Sequence, residues 1–121
     1  MKKITLFISL FAATFTFGQD LSTEFKDIEK KVIELRRHFH QNPELSNREF
    51  KTSDKIAEVL TDLEIEFIRN FAKTGIVGII KGDKPGKVVA LRADIDALPV
   101  IERNNLPFKS TKKTTFLGKN V

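Results

Sequence analysis

The chain has 121 residues, 31% of them charged, with a formal net charge of +5 and no cysteine. That length accommodates one small domain at most. The absence of cysteine excludes disulfide support and a cysteine-linked lipid anchor, and the mild, intermixed charge gives no reason to expect nucleic-acid binding.

Residues 1–18 read as a secretory signal segment. Met1-Lys2-Lys3 is a short basic start, and residues 4–17, ITLFISLFAATFTF, are apolar apart from small hydroxyl residues. Thr16 and Gly18 place small residues before a cleavage point at Gln19. The run is too short to span a membrane, which takes about 20 apolar residues. Removal of residues 1–18 leaves 103 residues and takes Lys2 and Lys3 with it, so the net charge falls from +5 to +3. The expectation is an exported protein, periplasmic or secreted, whose mature part, residues 19–121, has no membrane segment. Its lysines alternate with acids except around Lys109, Lys112 and Lys113, where a solvated loop is expected.

Residues 20–41 carry Leu21, Phe25, Ile28, Val32, Leu35 and Phe39 at spacings of four and three, one stripe of a helix. Asn42-Pro43 ends it, because the residue before proline is driven out of the helical region. A second helix is expected from Ser46 to about Leu63. Ser46 and Glu49 have capping-box spacing, worth about 1 kcal/mol, and Leu45 and Phe50 are placed to staple across the start.

The period then shortens. Ile65 and Phe67 alternate with acids, which predicts a first strand. Residues 75–80, GIVGII, predict a second, and residues 88–93, VVALRA, a third. Lys81-Gly82-Asp83-Lys84-Pro85-Gly86-Lys87 is turn chemistry, so the second and third strands are expected to pair as an antiparallel hairpin. The third is apolar on both faces apart from Arg92, which predicts a central strand covered on both sides. From Ile101 onward the chain is polar and reads as a long loop. Two helices followed by a short mixed or antiparallel set of strands give the beginning of an α/β layered domain. One helical layer leaves a sheet face uncovered, so the domain is expected to be incomplete.

Four groups invite a chemical reading. His38-x-His40 has the composition of a metal pair, but successive helical residues turn by about 100°, so the two rings point to nearly opposite sides. A helix C-terminus, where Arg and His favour the negative end of the dipole, is the preferred account. Asn42-Pro43-Glu44-Leu45-Ser46 reads as turn and cap. Gly75, Gly78 and Gly82 lack the phosphate-loop lysine and the dinucleotide fingerprint. Asp94 and Asp96 are the fourth group. At i and i+2 on a strand they face the same way, roughly 6–7 Å apart, and repel by about 2–3 kcal/mol at an effective dielectric of 20. Water, backbone N–H groups, a cation or a raised pKa must offset this. A solvated turn before Pro99 is the bland account. Their place at the carboxyl end of a strand, where α/β folds gather active groups, favours a site.

Three stretches carry a resemblance. LRRHFHQNPELSNREFKTSDKIAEVL resembles an opening Arg-Arg-x-x-His-x-x-Pro-Glu-Leu-Ser segment. TGIVGIIKG with its Pro-Gly turn resembles a first hairpin, and VALRADIDALPV, followed by NLPFKS, resembles a typical strand. Together they resemble the amino-terminal part of the metal-dependent amidohydrolases and peptidases related to aminoacylases, hippurate hydrolase and indoleacetyl-amino-acid hydrolases, over about residues 24–121. The resemblance implies a two-domain hydrolase with a three-layer, zinc-exopeptidase-like α/β catalytic domain and a lid and dimerisation domain, which is absent here. It implies a homodimer when full-length, two divalent ions (zinc or manganese), and hydrolysis of the amide bond of an N-acyl amino acid or small peptide. A metal-activated water attacks, with a glutamate as general base.

Residue by residue, the resemblance places Asp94 where related peptidases have the histidine of a His-x-Asp pair, and Asp96 at its aspartate. Asp96 is thereby the candidate that orients the metal centre from close by, with Asp94 a weaker one. His38 and His40 match the opening segment, which is not where the family's ligands lie. In this branch a Cys-Gly-His-Asp motif follows soon after the position of Gly118, and a Glu-Glu pair and two histidines come later. This sequence contains none of these, so no metal ligand is expected within it and the 121-residue chain is expected to be inactive alone. The rival expectations are a small secreted non-catalytic binding module on the same scaffold and, disfavoured by the modest charge, a basic surface binder.

Overall fold

The computed structural model describes residues 22–121; the expected signal segment and Leu21 lie outside them. Helix α1 covers Ser22–Gln41. It stops where the Asn42 side chain and backbone N–H both donate to the His38 carbonyl, each at 3.0 Å, ahead of Pro43. Its apolar stripe is not the core face expected: Phe25, Ile28 and Val32 are more than half exposed, and only Leu35 and Phe39 are half-buried.

Helix α2 covers Phe50–Asp62, four residues later than expected at its start. The capping box does not form. Asn47 takes φ +64, which turns the chain before the helix and takes Ser46 out of capping position. Glu44 supplies the cap instead, its carboxylate accepting the Thr52 N–H at 2.7 Å. This satisfies one of the amides that the first turn leaves without a partner. The staple is also absent, since Leu45 is buried but Phe50 is 56% exposed.

Strands β1 (Glu66–Phe71) and β2 (Gly75–Ile79) pair antiparallel, with Glu66 opposite Ile79, Phe67 opposite Gly78 and Ile68 opposite Val77. The hairpin therefore joins the first and second expected strands, not the second and third. Its connection runs through Asn70, Ala72 and Lys73, all at positive φ. The register shifts by a bulge before Phe71 meets Gly75. Gly75 is required there, because a Cβ would lie 2.7 Å from the Phe71 carbonyl oxygen. The hairpin packs on α2, with Gly78 against Leu60 and Ile65.

Residues 88–93 form no strand among the described residues. Val88 is 96% exposed and Leu91 97%. An extended segment becomes a strand only when a neighbour takes its N–H and C=O groups, and none of the described residues does so. The chain returns to the helices at Ala97, which forms a parallel bridge with Leu45 and donates its N–H to the Glu44 carbonyl at 2.8 Å. The expected terminal loop holds a small hairpin, β3 (Thr115–Phe116) and β4 (Lys119–Asn120). Leu117 and Gly118, both at positive φ, make its two-residue turn. Among the described residues the buried apolar core is only Leu45 and Ala57.

Candidate functional site

A cleft of about 380 Å³ lies where α1, α2 and the returning chain meet, lined by Phe39, Pro43, Glu44, Thr52, Ile56 and residues 93–97. Asp94 and Asp96 are both part of its wall. The local cause is the pair of bonds to Glu44. Its backbone carbonyl holds the Ala97 amide and its carboxylate holds the start of α2. One residue thus ties the aspartate stretch to the corner between the two helices. The sequence assigned the Asn42–Ser46 segment to turn and cap but not this double role, since the partner amide at Ala97 is remote in the chain.

The aspartates are not at the end of a laddered strand, and they do not confront each other in a dry site. Both are exposed, and Asp94 pairs with the Arg92 guanidinium at 2.6 Å. In water-accessible surroundings such a pair contributes at most about 1 kcal/mol. Solvent together with Arg92 offsets the repulsion that a strand-end pair would carry.

His38 and His40 are both in the last turn of α1, as the helix-end account requires. Neither lines the cleft. His40 Nε2 instead donates to both carboxylate oxygens of Glu102, at 3.0 and 2.9 Å. Among the described residues no three His, Cys, Asp or Glu side chains come together to hold a metal ion. These residues do not by themselves fit a dinuclear centre, which needs four or more ligands.

A buried polar network supports the same corner from below. Glu49 is 5% exposed and accepts the Thr74 hydroxyl at 2.7 Å and the Asn47 N–H at 2.9 Å. Burial pushes its carboxyl pKa up, but the Thr74 hydroxyl and the backbone N–H groups of residues 47–49 outweigh that and hold it below the ordinary value. Thr74 sits at the entry to β2, so this bond locks the hairpin to the start of α2. The sequence signal available for Glu49 was the capping box, which named the right residue for a different bond.

No family model matches the chain. Curated relatives do. A thermostable carboxypeptidase 2 from Saccharolobus solfataricus is 49% identical over 96 residues, covering 78% of this chain and 24% of the relative. An N-acetyl-L-cysteine deacetylase from Bacillus subtilis is 45% identical over 106 residues, covering 81% and 26%. A hippurate hydrolase from Campylobacter jejuni is 38% identical over 94 residues, covering 78% and 24%. The crystal structure of the Bacillus subtilis YXEP protein, described as a dinuclear metal binding peptidase from the M20 family, superposes with a TM-score of 0.68 at 44% identity. It covers 72% of this chain and 25% of that one. The chain spans about a quarter of the length of the curated relatives it matches.

The helix pair, the hairpin packed on α2 and the extended stretch returning to their corner are thus an incomplete α/β domain of the kind found in peptidase catalytic domains. Over 72–81% of its length the chain is similar to peptidases and amidohydrolases, among them one described as a member of the M20 family.

Proposed function

We propose that this chain is the opening portion of an exported amidohydrolase that cleaves the amide bond of an N-acyl amino acid or small peptide with the aid of divalent metal ions. The observation that carries the reading is identity of 38–49% to a carboxypeptidase, an N-acetylcysteine deacetylase and a hippurate hydrolase. All three names describe hydrolysis next to an amide carbonyl. In this reading residues 1–18 direct export, and residues 19–121 are one part of a catalytic domain whose metal ligands and lid lie elsewhere in the whole protein, a homodimer. Asp96, and less strongly Asp94, form a wall beside a two-metal centre of zinc or manganese and orient it without being its ligands.

The test is an assay of the purified chain with zinc or manganese, on N-acetylcysteine, hippurate and a dipeptide. Release of free amino acid is expected to be absent, and robust metal-dependent hydrolysis would overturn the account of this chain as inactive alone. Sequencing the amino terminus of exported material should give Gln19, and retention of Met1 counts against export. A second reading is a small secreted module without catalysis. A sharp, reversible melt of residues 19–121, with a reading frame that closes directly after Val121, would select it. A reading frame that continues into a Cys-Gly-His-Asp phrase would select the hydrolase.

A further inference from the structure

The Arg-Arg-His-Phe-His end of α1 and the NLPFKS stretch are the two sequence features that the proposed reaction leaves without a role. The fold brings them together across 62 residues. Glu102 is the junction. Its carboxylate accepts from His40 Nε2, from the Ser110 N–H at 3.0 Å and from the Asn104 side-chain amide. The Glu102 pKa is held below the ordinary carboxylate value, first by the Ser110 N–H and then by His40 and Asn104, against the opposing pull of burial. An ionised carboxylate only accepts hydrogen bonds, so Nε2 carries the proton that faces it.

Phe108 closes the other end. Its ring meets the His40 ring edge-on at 5.4 Å, and the guanidinium carbons of Arg36 and Arg37 lie 6.0 and 5.1 Å from its centroid. A ring face attracts cations, so the cationic end of α1 holds the segment twice, through a carboxylate and through an aromatic ring. Between these fixings, Lys109 N–H donates to the Leu106 carbonyl at 3.0 Å, which makes the loop a preformed turn.

We propose that His40 and Glu102 are a clasp that seats residues 102–110 on the C-terminal end of α1 as a strap, with Phe108 as its second fixing point. The clasp is independent of any reaction the whole protein performs. Other charged groups at the junction are Arg103 and Lys109 on the strap, and neither makes an ion pair with Glu102.

Trypsin tests this on the full chain, because Arg103 and Lys109 are cleavage sites within the strap and the Lys109–Ser110 bond contains the very N–H that Glu102 holds. Lys81 and Lys87, in the turn after β2, are internal references. His40→Ala and Glu102→Gln should each speed cleavage after Arg103 and Lys109 by about tenfold, with the double variant no faster than the singles, because protease access follows the population of the opened segment. Phe108→Leu should give a smaller rise at the same two bonds. Unchanged cleavage in the strap overturns the clasp. So does an equal rise at Lys81 and Lys87, which reports loosening of the whole fold. A second readout separates the clasp from general packing. The Glu102 carboxyl, followed by carbon NMR, should titrate closer to the ordinary value in His40→Ala, and no movement there overturns the pairing.

Discussion

Residues 50–79 are less rich in apolar side chains than residues 88–101, 14 of 30 against 10 of 14, yet it is the less apolar region that packs. In the first region α2, β1 and β2 lean on one another, and Gly75 and Gly78 let backbones approach at named contacts. In the second, Val88, Val89, Leu91, Leu98, Val100 and Ile101 are 67–97% exposed. The difference lies in partners, not composition. A helix satisfies its own backbone, and a hairpin closed by a short turn supplies its own neighbour. A lone extended segment has neither, and its hydrophobicity stabilises nothing until another surface removes it from water.

The contrast between packed and exposed apolar side chains is tested most readily at Leu45, just before the first region, and at Leu91. Leu45→Ala should cost about 2–4 kcal/mol in urea unfolding, since Leu45 is one of two buried apolar residues among the described residues. Leu91→Ser should change stability by no more than about 0.5 kcal/mol. Equal losses at the two sites would show that residues 88–93 are packed in solution.

A smaller pair of changes probes the hairpin. Gly75→Ala should destabilise by about 1–3 kcal/mol in thermal melting, because the new Cβ collides with the Phe71 carbonyl. Gly78→Ala places its Cβ 3.6 Å from Leu60 and Ile65, an ordinary contact, and should be nearly neutral. Reversal of that order would mean a different register.

The Glu49 network should respond to pH. The Glu49 pKa is lower folded than unfolded, so its contribution is complete above the ordinary carboxylate range. It is lost as pH falls through the lowered folded value. The melting temperature should drop on that acid limb, and Glu49→Gln should flatten the limb while costing about 1–2 kcal/mol at neutral pH. A limb unchanged by that substitution would remove Glu49 from the account. The smallest effect separates the two capping schemes. Glu44→Ala should cost about 1 kcal/mol, and Ser46→Ala close to nothing. The opposite result would restore the capping box.

Much of the first region was legible because its determinants are local. The stripe from Phe25 to Phe39 and the Asn42-Pro43 stop gave α1 nearly residue for residue, and the shift from period 3.6 to period 2 after Leu63 gave β1. The errors have nonlocal causes. Ser46 looked like a cap because the left-handed turn at Asn47 is invisible in a spacing rule. The strongest turn composition, residues 81–87, points to a hairpin one strand later than the one that forms, because it is not where the chain closes. Packing of Leu60 and Ile65 against Gly78 selects the earlier turn at Asn70–Lys73. Asp94 and Asp96 stand out in the sequence by position and likeness, and the cleft they line with Glu44 does not.

By itself, the sequence determined two amphipathic helices, where they stop, and a likeness to a group of hydrolases through three short stretches. Only the tertiary structure decided that Glu44 caps α2 while holding Ala97, that Glu49 reaches Thr74, and that His40 turns to Glu102 and not to the aspartates. Helix period and turn chemistry are set within a few residues, where a linear reading suffices. Those four bonds join groups 8 to 62 positions apart, and their formation depends on the free energy of packing the elements that carry them.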